Sequence, residues 1–375
     1  MRSIHASKDR KACGTRARAT LAAAVVIFCS TGLPRAGLGA PGFEDPLDNP
    51  ARIVDRLQQR PMQAVTKAGD RLVAVGSRGL IVLSRDGGKS WKQAKVPVQS
   101  DLLAVYFPNP ETGWAVGHDG VVLRSDDGGD SWIKQIDGRN VAETFLNYYQ
   151  ARAAAGDAAA KEALRQLQQN FKVPGALPYL DVWFKDADEG FAVGSFGMLI
   201  ATTDGGRTWI PWLDRIDNDQ FVNLNCIHGI GDDVFIAGER GQVFKLDRNR
   251  GRFRATPTGY AGSFFGIAGN ATTILAFGLR GMAYRSGDRG STWEPVRMPG
   301  EVTVSAGVAR LDNSAFILVN LAGQILIGDA GAREFRVYQP PEHAPLTGVV
   351  SLTQGSALVT AQTGIAVEEL PRTDK

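Results

Sequence analysis

The stretch that decides the fold is A-V-G-S-R-G-L-I-V-L-S-R-D-G-G-K-S-W, at Ala74–Trp91. It returns as A-V-G-H-D-G-V-V-L-R-S-D-D-G-G-D-S-W at Ala115–Trp132 and as A-V-G-S-F-G-M-L-I-A-T-T-D-G-G-R-T-W at Ala192–Trp209. In each copy the first glycine precedes the tryptophan by fifteen residues. Weaker copies occupy Gly238–Phe253, Gly278–Trp293 and Asn320–Phe335, with a partial seventh at Leu358–Val367. A period of about 40 residues indicates a repeat architecture.

Each repeat has the pattern of four short strands. The third copy contains L-D-V-W-F from Leu180, then G-F-A-V-G, M-L-I-A-T-T and T-W-I-P-W, separated by turns rich in glycine and aspartate. Four-stranded sheets repeated at this period, with no helix between copies, are typical of a β-propeller. We therefore predict an all-β fold, a single seven-bladed propeller of four-stranded blades over residues 41–375. The seventh copy ends near Leu370 without a fourth strand, and we expect residues 51–57 (A-R-I-V-D-R-L) to supply it and close the ring.

One insertion, residues 138–178, interrupts the repeat between blades 2 and 3. It contains two runs of good helix formers separated by Gly156-Asp157. Its large apolar residues recur at spacings that place them on one face, namely Phe145, Tyr148, Tyr149, Leu164, Leu167 and Phe171. We expect a local helical hairpin, whose removal leaves the ring folded.

The composition is that of a globular protein with many tight turns. Of the 375 residues, 43% are apolar and 44 are glycine, without the period of collagen. Residues 1–40 hold seven basic residues and one acid, which leaves 35 basic and 38 acidic residues in the rest of the chain. The body is therefore slightly acidic, and we expect no nucleic-acid binding.

Residues 1–40 have the pattern of a secretory signal peptide. A basic region through Arg18 precedes the apolar run Ala19–Phe28, and small residues follow to Ala40. The apolar run is shorter than the roughly 20 residues of a membrane-spanning helix. We expect cleavage near Ala40 and a periplasmic or secreted protein. An uncleaved membrane anchor is the alternative.

The turn S/T-x-D-x-G-x-S/T-W in the repeat is the Asp-box, also called the BNR repeat. Its residues have structural reasons to be there, because the aspartate can bond backbone N–H groups of its own turn and the glycines allow positive φ. The aromatic side chain can fix the turn against the apolar space between strands. The predicted structural residues are Asp86, Trp91, Asp127, Trp132, Asp204, Trp209, Asp288 and Trp293.

With A-V-G-x-x-G-x-x-L before each box, the repeat resembles the photosystem II stability/assembly factor family of BNR-repeat propellers. It is most similar to the proteobacterial exported branch, in which D-P-L-D-N-P-A (Asp45–Ala51) resembles the start of the mature protein. The resemblance covers about residues 43–370. It implies a seven-bladed propeller in an exported or lumenal compartment, with a non-catalytic scaffold or assembly role for membrane-protein complexes. Members outside phototrophs often accompany transporter genes of the resistance-nodulation-division type, so a transporter component is a possible partner.

Asp-boxes also occur in sialidases and other glycosidases, so a glycoside hydrolase or a carbohydrate-binding propeller is the alternative. The chain lacks the Arg-Ile-Pro signature of sialidases, since Val54 follows Arg52-Ile53. Asp119 and Glu239 are acids in loops after second strands, and a hydrolase would need two such carboxylates across one pocket. Activity on 4-methylumbelliferyl glycosides, including the sialoside, distinguishes the two classes.

Other site chemistry is sparse. Cys226 is the one cysteine outside the leader, and its alternating surroundings N-L-N-C-I-H predict a buried, inert thiol. His118, His228 and His343 follow no metal-ligand spacing, and no phosphate-binding loop or nucleophile elbow is present. We predict no catalytic residues, no metal, no cofactor and a monomer.

The predicted partner-binding face carries the turns between second and third strands. Alternate connections of a four-stranded blade share a face, so these turns lie with the blade-to-blade connections and the insertion, opposite the Asp-boxes. One position in these turns is occupied by Arg78, Asp119, Phe196, Arg240, Arg280, Ala322 and Thr363. Three arginines beside an aromatic hairpin suggest a site for an acidic or amphipathic segment of a membrane partner. The predicted partner-binding residues are Arg78, Arg240, Arg280, Phe196, Tyr148 and Tyr149.

Overall fold

A computed structural model describes residues 45–172, 177–341 and 344–371. The predicted signal peptide lies outside these ranges. Blades 1 and 2 contain β1 (Met62–Ala68), β2 (Arg71–Gly76), β3 (Ile81–Ser84), β4 (Lys92–Gln93), β5 (Leu102–Tyr106), β6 (Gly113–Gly117), β7 (Val122–Ser125) and β8 (Ile133–Ile136). Blades 3 and 4 contain β9 (Tyr179–Phe184), β10 (Gly190–Gly194), β11 (Leu199–Thr202), β12 (Ile210–Pro211), β13 (Leu224–Ile230), β14 (Asp233–Gly238), β15 (Val243–Asp247) and β16 (Arg252–Ala255).

The remaining strands form three more antiparallel sheets. Blades 5 and 6 contain β17 (Phe264–Gly269), β18 (Ile274–Gly278), β19 (Ala283–Ser286), β20 (Glu294–Val296), β21 (Val304–Ala309), β22 (Ala315–Asn320), β23 (Ile325–Asp329) and β24 (Phe335–Tyr338). Blade 7 contains β25 (Leu346–Ser351), β26 (Ser356–Ala361) and β27 (Gly364–Glu369). Within each sheet the strands follow chain order, and the first strands together line a central channel of about 260 Å³. The predicted all-β seven-bladed propeller is confirmed.

Blade 7 departs from the prediction because its sheet has three strands among the described residues. Residues 51–57 form no strand there, so the prediction that they complete this blade is wrong. The Ala51 N–H instead donates to the Val96 carbonyl at 2.9 Å, and the Gln93 side chain accepts from the Val54 N–H at 3.0 Å. These bonds hold the segment against the outer strand of blade 1. The ring closes between β1 and β25, where the Thr347 hydroxyl donates to the Met62 carbonyl at 2.7 Å.

The core lies between neighbouring blades. The second strand of each blade is buried along almost its whole length, which explains why A-V-G recurs there. Aromatic residues at the box position fill the space towards the preceding blade: Trp132 and Trp209 are each 4% exposed, and Phe253 is fully buried. Burying an aromatic side chain of this size contributes several kcal/mol, so these positions are major sources of stability (~3–5 kcal/mol for truncation to alanine).

The insertion forms two helices, α1 (Gly138–Ala154) and α2 (Ala158–Asn170), as predicted. Asp137 and Asp157 cap their N-termini by accepting backbone N–H groups of the first turns. The hairpin is less local than expected, however. Phe145, Tyr149 and Leu167 belong to the same buried cluster as Trp114 and Phe184 of blades 2 and 3. The helices therefore contribute to the core between these blades.

Candidate functional site

The two faces of the ring carry different turns. The turns between second and third strands contact segments that directly precede the first strand of a blade. The Gly79 N–H of blade 1 donates to the Ser100 carbonyl, before the first strand of blade 2, at 2.9 Å. The Leu321 N–H of blade 6 donates to the Thr303 carbonyl, before the first strand of the same blade, at 3.1 Å. Helix α1 begins beside the corresponding turn of blade 2, where Gly120 lies against Gly138. These turns, the blade connections and the hairpin therefore share one side, which we call the turn face. The Asp-boxes, between third and fourth strands, lie on the other side, the box face.

On the box face, the side chains of each complete Asp-box form hydrogen bonds with groups of the same turn. In blade 1, the Gly88 N–H donates to the Ser84 hydroxyl at 2.9 Å, and that hydroxyl donates to the Asp86 carboxylate at 2.8 Å. Asp86 also accepts from the Ser90 hydroxyl and from its N–H at 2.9 Å. These bonds lower the pKa of Asp86 to about 2, and the bond from the Ser90 hydroxyl has the largest effect. The same arrangement recurs around Asp127, Asp204 and Asp288.

On the turn face, five turns hold a non-glycine residue at positive φ. The residues are Arg78, Asp119, Phe196, Arg240 and Arg280, with φ between 53° and 59°. Left-handed backbone costs an L-residue about 1–2 kcal/mol, and bulky residues adopt it rarely. Such a conformation persists where surrounding bonds fix it and is a reason to suspect function. Ala322 and Thr363, at the same sequence position in blades 6 and 7, do not share the conformation.

Side chains from neighbouring segments hold these turns in place. The Arg78 N–H donates to the Asp101 carboxylate at 2.7 Å, the Phe196 N–H to the Asn223 side chain at 2.6 Å, and the Arg280 N–H to the Thr303 hydroxyl at 3.2 Å. Each acceptor precedes the first strand of the following blade. The turn residues are thus fixed at the backbone, while the side chains of Arg78, Arg240, Arg280 and Phe196 are exposed.

The three predicted arginines do not form one cluster. Arg240 and Arg280 lie on neighbouring blades 4 and 5, whereas Arg78 lies on blade 1. The guanidinium of Arg240 donates to the Gln220 side chain. Those of Arg78 and Arg280 make no hydrogen bond or ion pair with any residue in the described ranges.

Arg78 instead belongs to a second group of arginines, which the sequence analysis missed. A cavity of about 280 Å³ on the turn face is lined by Arg52, Arg60 and Arg78 together with apolar atoms of Val54 and Leu80. We call it the basic cavity. Arg52 falls in the segment that was expected to complete blade 7, and Arg60 precedes the first strand, so no repeat position pointed to either. Their only sequence signal is a density of arginines between residues 52 and 60.

Exposed apolar side chains lie in strands, turns and connections on the same face, and one of them, Phe265, also lines the channel. Four lie on blades 5 and 6 or their connection, and one lies on blade 3; they are Phe265, Leu279, Val302, Leu321 and Phe196. We call this set the apolar arc. Arg280 follows Leu279 directly, so blade 5 presents an apolar and a cationic side chain from one turn. A surface of this kind complements an amphipathic segment.

The two tyrosines of the hairpin have different positions. Tyr149 is fully buried, and its hydroxyl lies 2.8 Å from the Asp214 carboxylate and 3.1 Å from the Pro211 carbonyl. The prediction that Tyr149 contacts a partner is therefore wrong, because helix α1 turns this side chain into the core. Burial, followed by the charge of Asp214, raises the pKa of Tyr149 well above its usual value. Tyr148 is half-buried, with the Arg152 guanidinium over its ring.

The two acids of the hydrolase alternative are engaged in structural bonds. Asp119 accepts from the Ser100 hydroxyl at 2.7 Å, and Glu239 accepts from the N–H and side-chain amide of Asn223, both at 3.1 Å. They lie on blades 2 and 4, which are not neighbours. In the part of the chain that the structure describes, no group of three or more His, Cys, Asp or Glu could hold a metal ion.

The channel wall contains Asp181, a carboxylate that the sequence analysis did not single out. It accepts from the backbone N–H groups of Val182 and Ile227, both at 2.8 Å, and so ties blade 3 to blade 4. Burial raises the pKa of Asp181 to about 7, against the opposing effect of the two bonds. The other blades carry small residues here, which a comparison of the repeats would have shown: Ala64, Ala104, Cys226, Gly266, Ala306 and Gly348. Cys226 is free and buried, as predicted.

Two curated proteins share sequence with this chain. The chloroplastic photosystem II stability/assembly factor HCF136 of Oryza sativa subsp. japonica is 33% identical over 67 residues, 18% of this chain and 16% of that protein. The photosystem II assembly lipoprotein Ycf48 of Synechococcus sp. (strain CC9902) is 31% identical over 170 residues, 43% of this chain and 49% of that protein. The chain thus spans about half or less of the length of these relatives.

Solved structures show the same fold. YCF48 bound to a D1 peptide superposes with a TM-score of 0.60 at 14% identity, covering 84% of this chain and 95% of that one. YCF48 from Cyanidioschyzon merolae gives 0.60 at 15% identity, with coverages of 84% and 97%. The WD40 propeller of Doa1 gives 0.57 at 12% identity, with coverages of 86% and 95%. At such identities the likeness supports the fold alone.

The family assignment comes from a sequence model. The model described as photosynthesis system II assembly factor YCF48 matches residues 60–148 and 160–326, which is well over half of the chain. The matched ranges include blades 1 to 5, the Asp-boxes of blades 1, 2, 3 and 5, and most of blade 6. A protein with this repeat, folded as this ring, belongs to the YCF48 family of photosystem II assembly factors.

Proposed function

We propose that this protein is a non-catalytic assembly factor, which binds a segment of a membrane-protein subunit on its turn face. The observation that carries the proposal is the basic cavity, in which three arginines surround a space with apolar walls. Carboxylates are the natural ligands of such a site, because a guanidinium can donate two parallel hydrogen bonds to them. The apolar arc, on blades 3, 5 and 6 of the same face, provides further contact area for an amphipathic segment.

The rigidity of the turn face supports the same reading. The exposed residues are carried by turns whose backbone is bonded to the next blade, so a ligand would meet a preformed surface. Binding then costs less conformational entropy than binding to a mobile loop. A related propeller, YCF48, is known bound to a D1 peptide, which supports a peptide ligand for this chain as well.

Two sets of substitutions test this function. One removes Arg60 and Arg78 from the basic cavity, and the other removes Arg240 and Arg280, each to alanine. The control replaces Arg207, Arg250 and Arg333, which are exposed and belong to the box face. Membrane-protein subunits captured by each purified protein from solubilised membranes are identified and quantified, with and without 0.5 M salt.

We expect the cavity variant to capture its partner at least about tenfold less well, the control to match the wild type, and high salt to weaken wild-type capture. Equal capture by all variants would remove the turn face from the proposal. Turnover of a 4-methylumbelliferyl glycoside by the wild type, lost on substitution of Asp119 or Glu239, would instead favour the hydrolase. No observation in the described residues favours that alternative.

We also propose that the protein acts outside the cytoplasm, after removal of residues 1–40. The leader pattern supports export, and the Synechococcus relative is named a lipoprotein. Within the described ranges, no helix combines the length and apolar character needed to cross a bilayer. N-terminal sequencing of the protein from fractionated cells should begin between residues 36 and 44. An intact N-terminus recovered with membranes would contradict export with cleavage and favour an anchor.

A further inference from the structure

Blade 7 presents an open sheet edge in a place where the other blades have a fourth strand. Strand β27 is outermost in its sheet, and no strand among the described residues pairs with its outer side. In the other six blades, the third strand pairs with a fourth on that side. Val367, in the middle of β27, is 43% exposed.

The backbone groups on this edge point outwards. Gln362 and Thr363 form a two-residue turn, so Ala361 and Gly364 are paired across it and the bonds of alternate residues go to β26. The N–H and C=O groups of Ile365, Val367 and Glu369 therefore face away from β26. Blade 7 has a shorter turn, so equivalent positions in the third strand are assigned here by pairing with the second strand, where Ile365 pairs with Thr360 as Ile81 pairs with Val75. In complete blades this third-strand residue accepts a fourth-strand N–H: Ile81 from Ala94 at 2.9 Å, Leu199 from Trp212 at 2.8 Å, and Val243 from Thr256 at 2.8 Å.

A groove runs along this edge. Its volume is about 410 Å³, and its walls are Gln58 and Gln59 on one side and Pro340 and Pro341 on the other, with residues 364–368 as its floor. The five residues Ile365–Glu369 span about 17 Å, which accommodates a short extended segment. The groove shares no lining residue with the basic cavity, although Gln59 of the groove directly precedes Arg60 of the cavity. A ligand at this edge would bind main-chain groups of β27 and not the arginines, so this site does not depend on the proposed function.

We propose that the edge of β27 binds an extended segment of a partner protein by β-strand addition. In this mode main-chain hydrogen bonds supply affinity, and pockets for alternate side chains supply specificity. The chain itself shows which side chains such a strand requires, because in six of its blades a fourth strand is already paired at this edge.

The fourth strands share a pattern. Each contains or directly follows an aromatic residue that inserts towards the preceding blade. In four blades an apolar residue stands three positions after this aromatic: Trp91–Ala94, Trp209–Trp212, Trp293–Val296 and Phe335–Tyr338. The partner segment is therefore expected to contain an aromatic residue followed three positions later by an apolar one. Two folded blades meeting edge to edge could not insert such an aromatic side chain, so a segment that is free to extend fits better than a second copy of this ring.

Charge adds a further requirement. Glu368 lies in β27 where four other blades carry the first serine or threonine of the Asp-box, and Glu369 follows it. By the register of blade 6, where Phe335 pairs with Gly328, the incoming aromatic residue lies opposite Glu368. Basic residues beside that aromatic complement the exposed carboxylate of Glu369. Residues 88–96 of this chain, G-K-S-W-K-Q-A-K-V, satisfy all three requirements and provide a probe.

The test uses the full chain and a fluorescein-labelled synthetic peptide G-K-S-W-K-Q-A-K-V, with binding followed by fluorescence anisotropy. Val367→Pro removes one outward N–H and leaves the bonds to β26 in place, since proline is tolerated on edge strands. Val337→Pro is the matched control: Val337 is 44% exposed, lies in β24 at the outer edge of complete blade 6, and its N–H also faces outwards by the register. Thermal melts establish that both variants fold.

We expect the wild type and Val337→Pro to bind equally and Val367→Pro to bind at least about tenfold more weakly. Peptides with the tryptophan replaced by alanine, or with the lysines replaced by glutamate, should lose a similar factor. Binding that is unchanged in folded Val367→Pro, or absent in the wild type, would overturn the proposal. Concentration-dependent dimers in sedimentation velocity, lost in Val367→Pro, would assign the edge to a second copy and overturn the partner assignment.

Discussion

The two faces of this ring are both built from turns between strands, but these turns use their side chains in opposite ways. On the box face, serine or threonine and aspartate are repeated in four blades, and their side chains bond to groups of their own turn. On the turn face, the residue at one position changes from blade to blade, is held at positive φ, and directs its side chain to solvent in most cases. Repetition thus reports what each blade needs in order to fold. Residues that differ at an equivalent position are where a propeller can carry function.

The largest expected effect tests the structural role of the box face. Trp132 is 4% exposed, packs against Phe107 and donates its indole N–H to the Gly129 carbonyl at 3.0 Å. Trp132→Ala should lower the free energy of unfolding by about 3–5 kcal/mol, because it removes a large buried ring and leaves a cavity. Trp91 is half-buried beside blade 7, so Trp91→Ala should cost less. Urea unfolding of both variants checks the order, and an equal loss would contradict the link between burial and the box aromatic.

The second effect concerns the helical hairpin on the turn face, whose buried side chains belong to the core between blades 2 and 3. Tyr149→Phe removes a buried hydroxyl that bonds Asp214 and leaves that carboxylate, whose other oxygen binds Arg152, with an unmet acceptor. Losing one partner of a buried polar pair costs about 1–3 kcal/mol. Tyr148→Phe is the comparison: Tyr148 is half-buried and its hydroxyl accepts from the Arg152 guanidinium at 3.2 Å, so the loss of this more exposed bond should cost less. Thermal melts should show a lower midpoint for Tyr149→Phe, and equal midpoints would mean that the hairpin is not anchored through this network.

The sequence predicted the architecture because the fold repeats. The pattern occurs seven times, and six copies keep a fixed spacing of fifteen residues to the aromatic residue. Together these features indicate the number of blades, the order of the strands and the positions of the buried aromatic residues. The insertion was recognisable as helical because it interrupts the repeat and consists largely of good helix formers. Tyr149 was assigned to the surface because a helical wheel gives one apolar face, and does not say whether a neighbouring blade covers it.

The features of the site that could not be predicted depend on contacts that occur in one blade and are not repeated in the others. Arg52 and Arg60 join Arg78 only because the segment before β1 follows the outer edge of blade 1, held by Gln93 and Val96. No periodicity encodes that path, and the missing fourth strand of blade 7 led us to expect a strand in residues 51–57 instead. Asp181 was missed although its position is repeated, since its role is visible only when the seven equivalent residues are aligned around the channel.

The third effect is a pH dependence that arises from the Asp-boxes of the box face. The pKa of Asp86 and of Asp288 is about 2, below the ordinary 3.8. A carboxyl whose pKa is lower in the folded state stabilises the fold fully above its unfolded pKa, and this contribution disappears as pH falls through the folded pKa. Asp86→Asn should therefore lower the melting temperature at pH 6, with the difference from wild type shrinking between about pH 4 and pH 2. Asp219→Asn, exposed and outside any box, is the control. A difference that stays constant down to pH 2 would contradict the assignment.

The smallest effect separates strain from side-chain chemistry on the turn face. Arg280 holds φ at 55°, and its guanidinium makes no bond within the described residues. Glycine relieves the steric cost of this conformation, partly offset by the greater freedom of the unfolded chain, so Arg280→Gly should stabilise the protein by about 0.5 kcal/mol. Arg280→Ala removes the same guanidinium but keeps a Cβ at positive φ, and should leave stability unchanged or slightly lower.

The comparison of these two variants with wild type distinguishes two reasons for an arginine at this position. If the residue is present for binding, both variants should capture less partner, while only Arg280→Gly melts higher, by about 1–2 °C for a protein of this size. Such a result would mean that the wild-type protein is less stable than it could be because Arg280 is needed for binding, as is expected at sites that carry strained residues. If Arg280→Gly melts at or below the wild-type midpoint, the arginine contributes to folding, and the contrast between the two faces would not hold at blade 5.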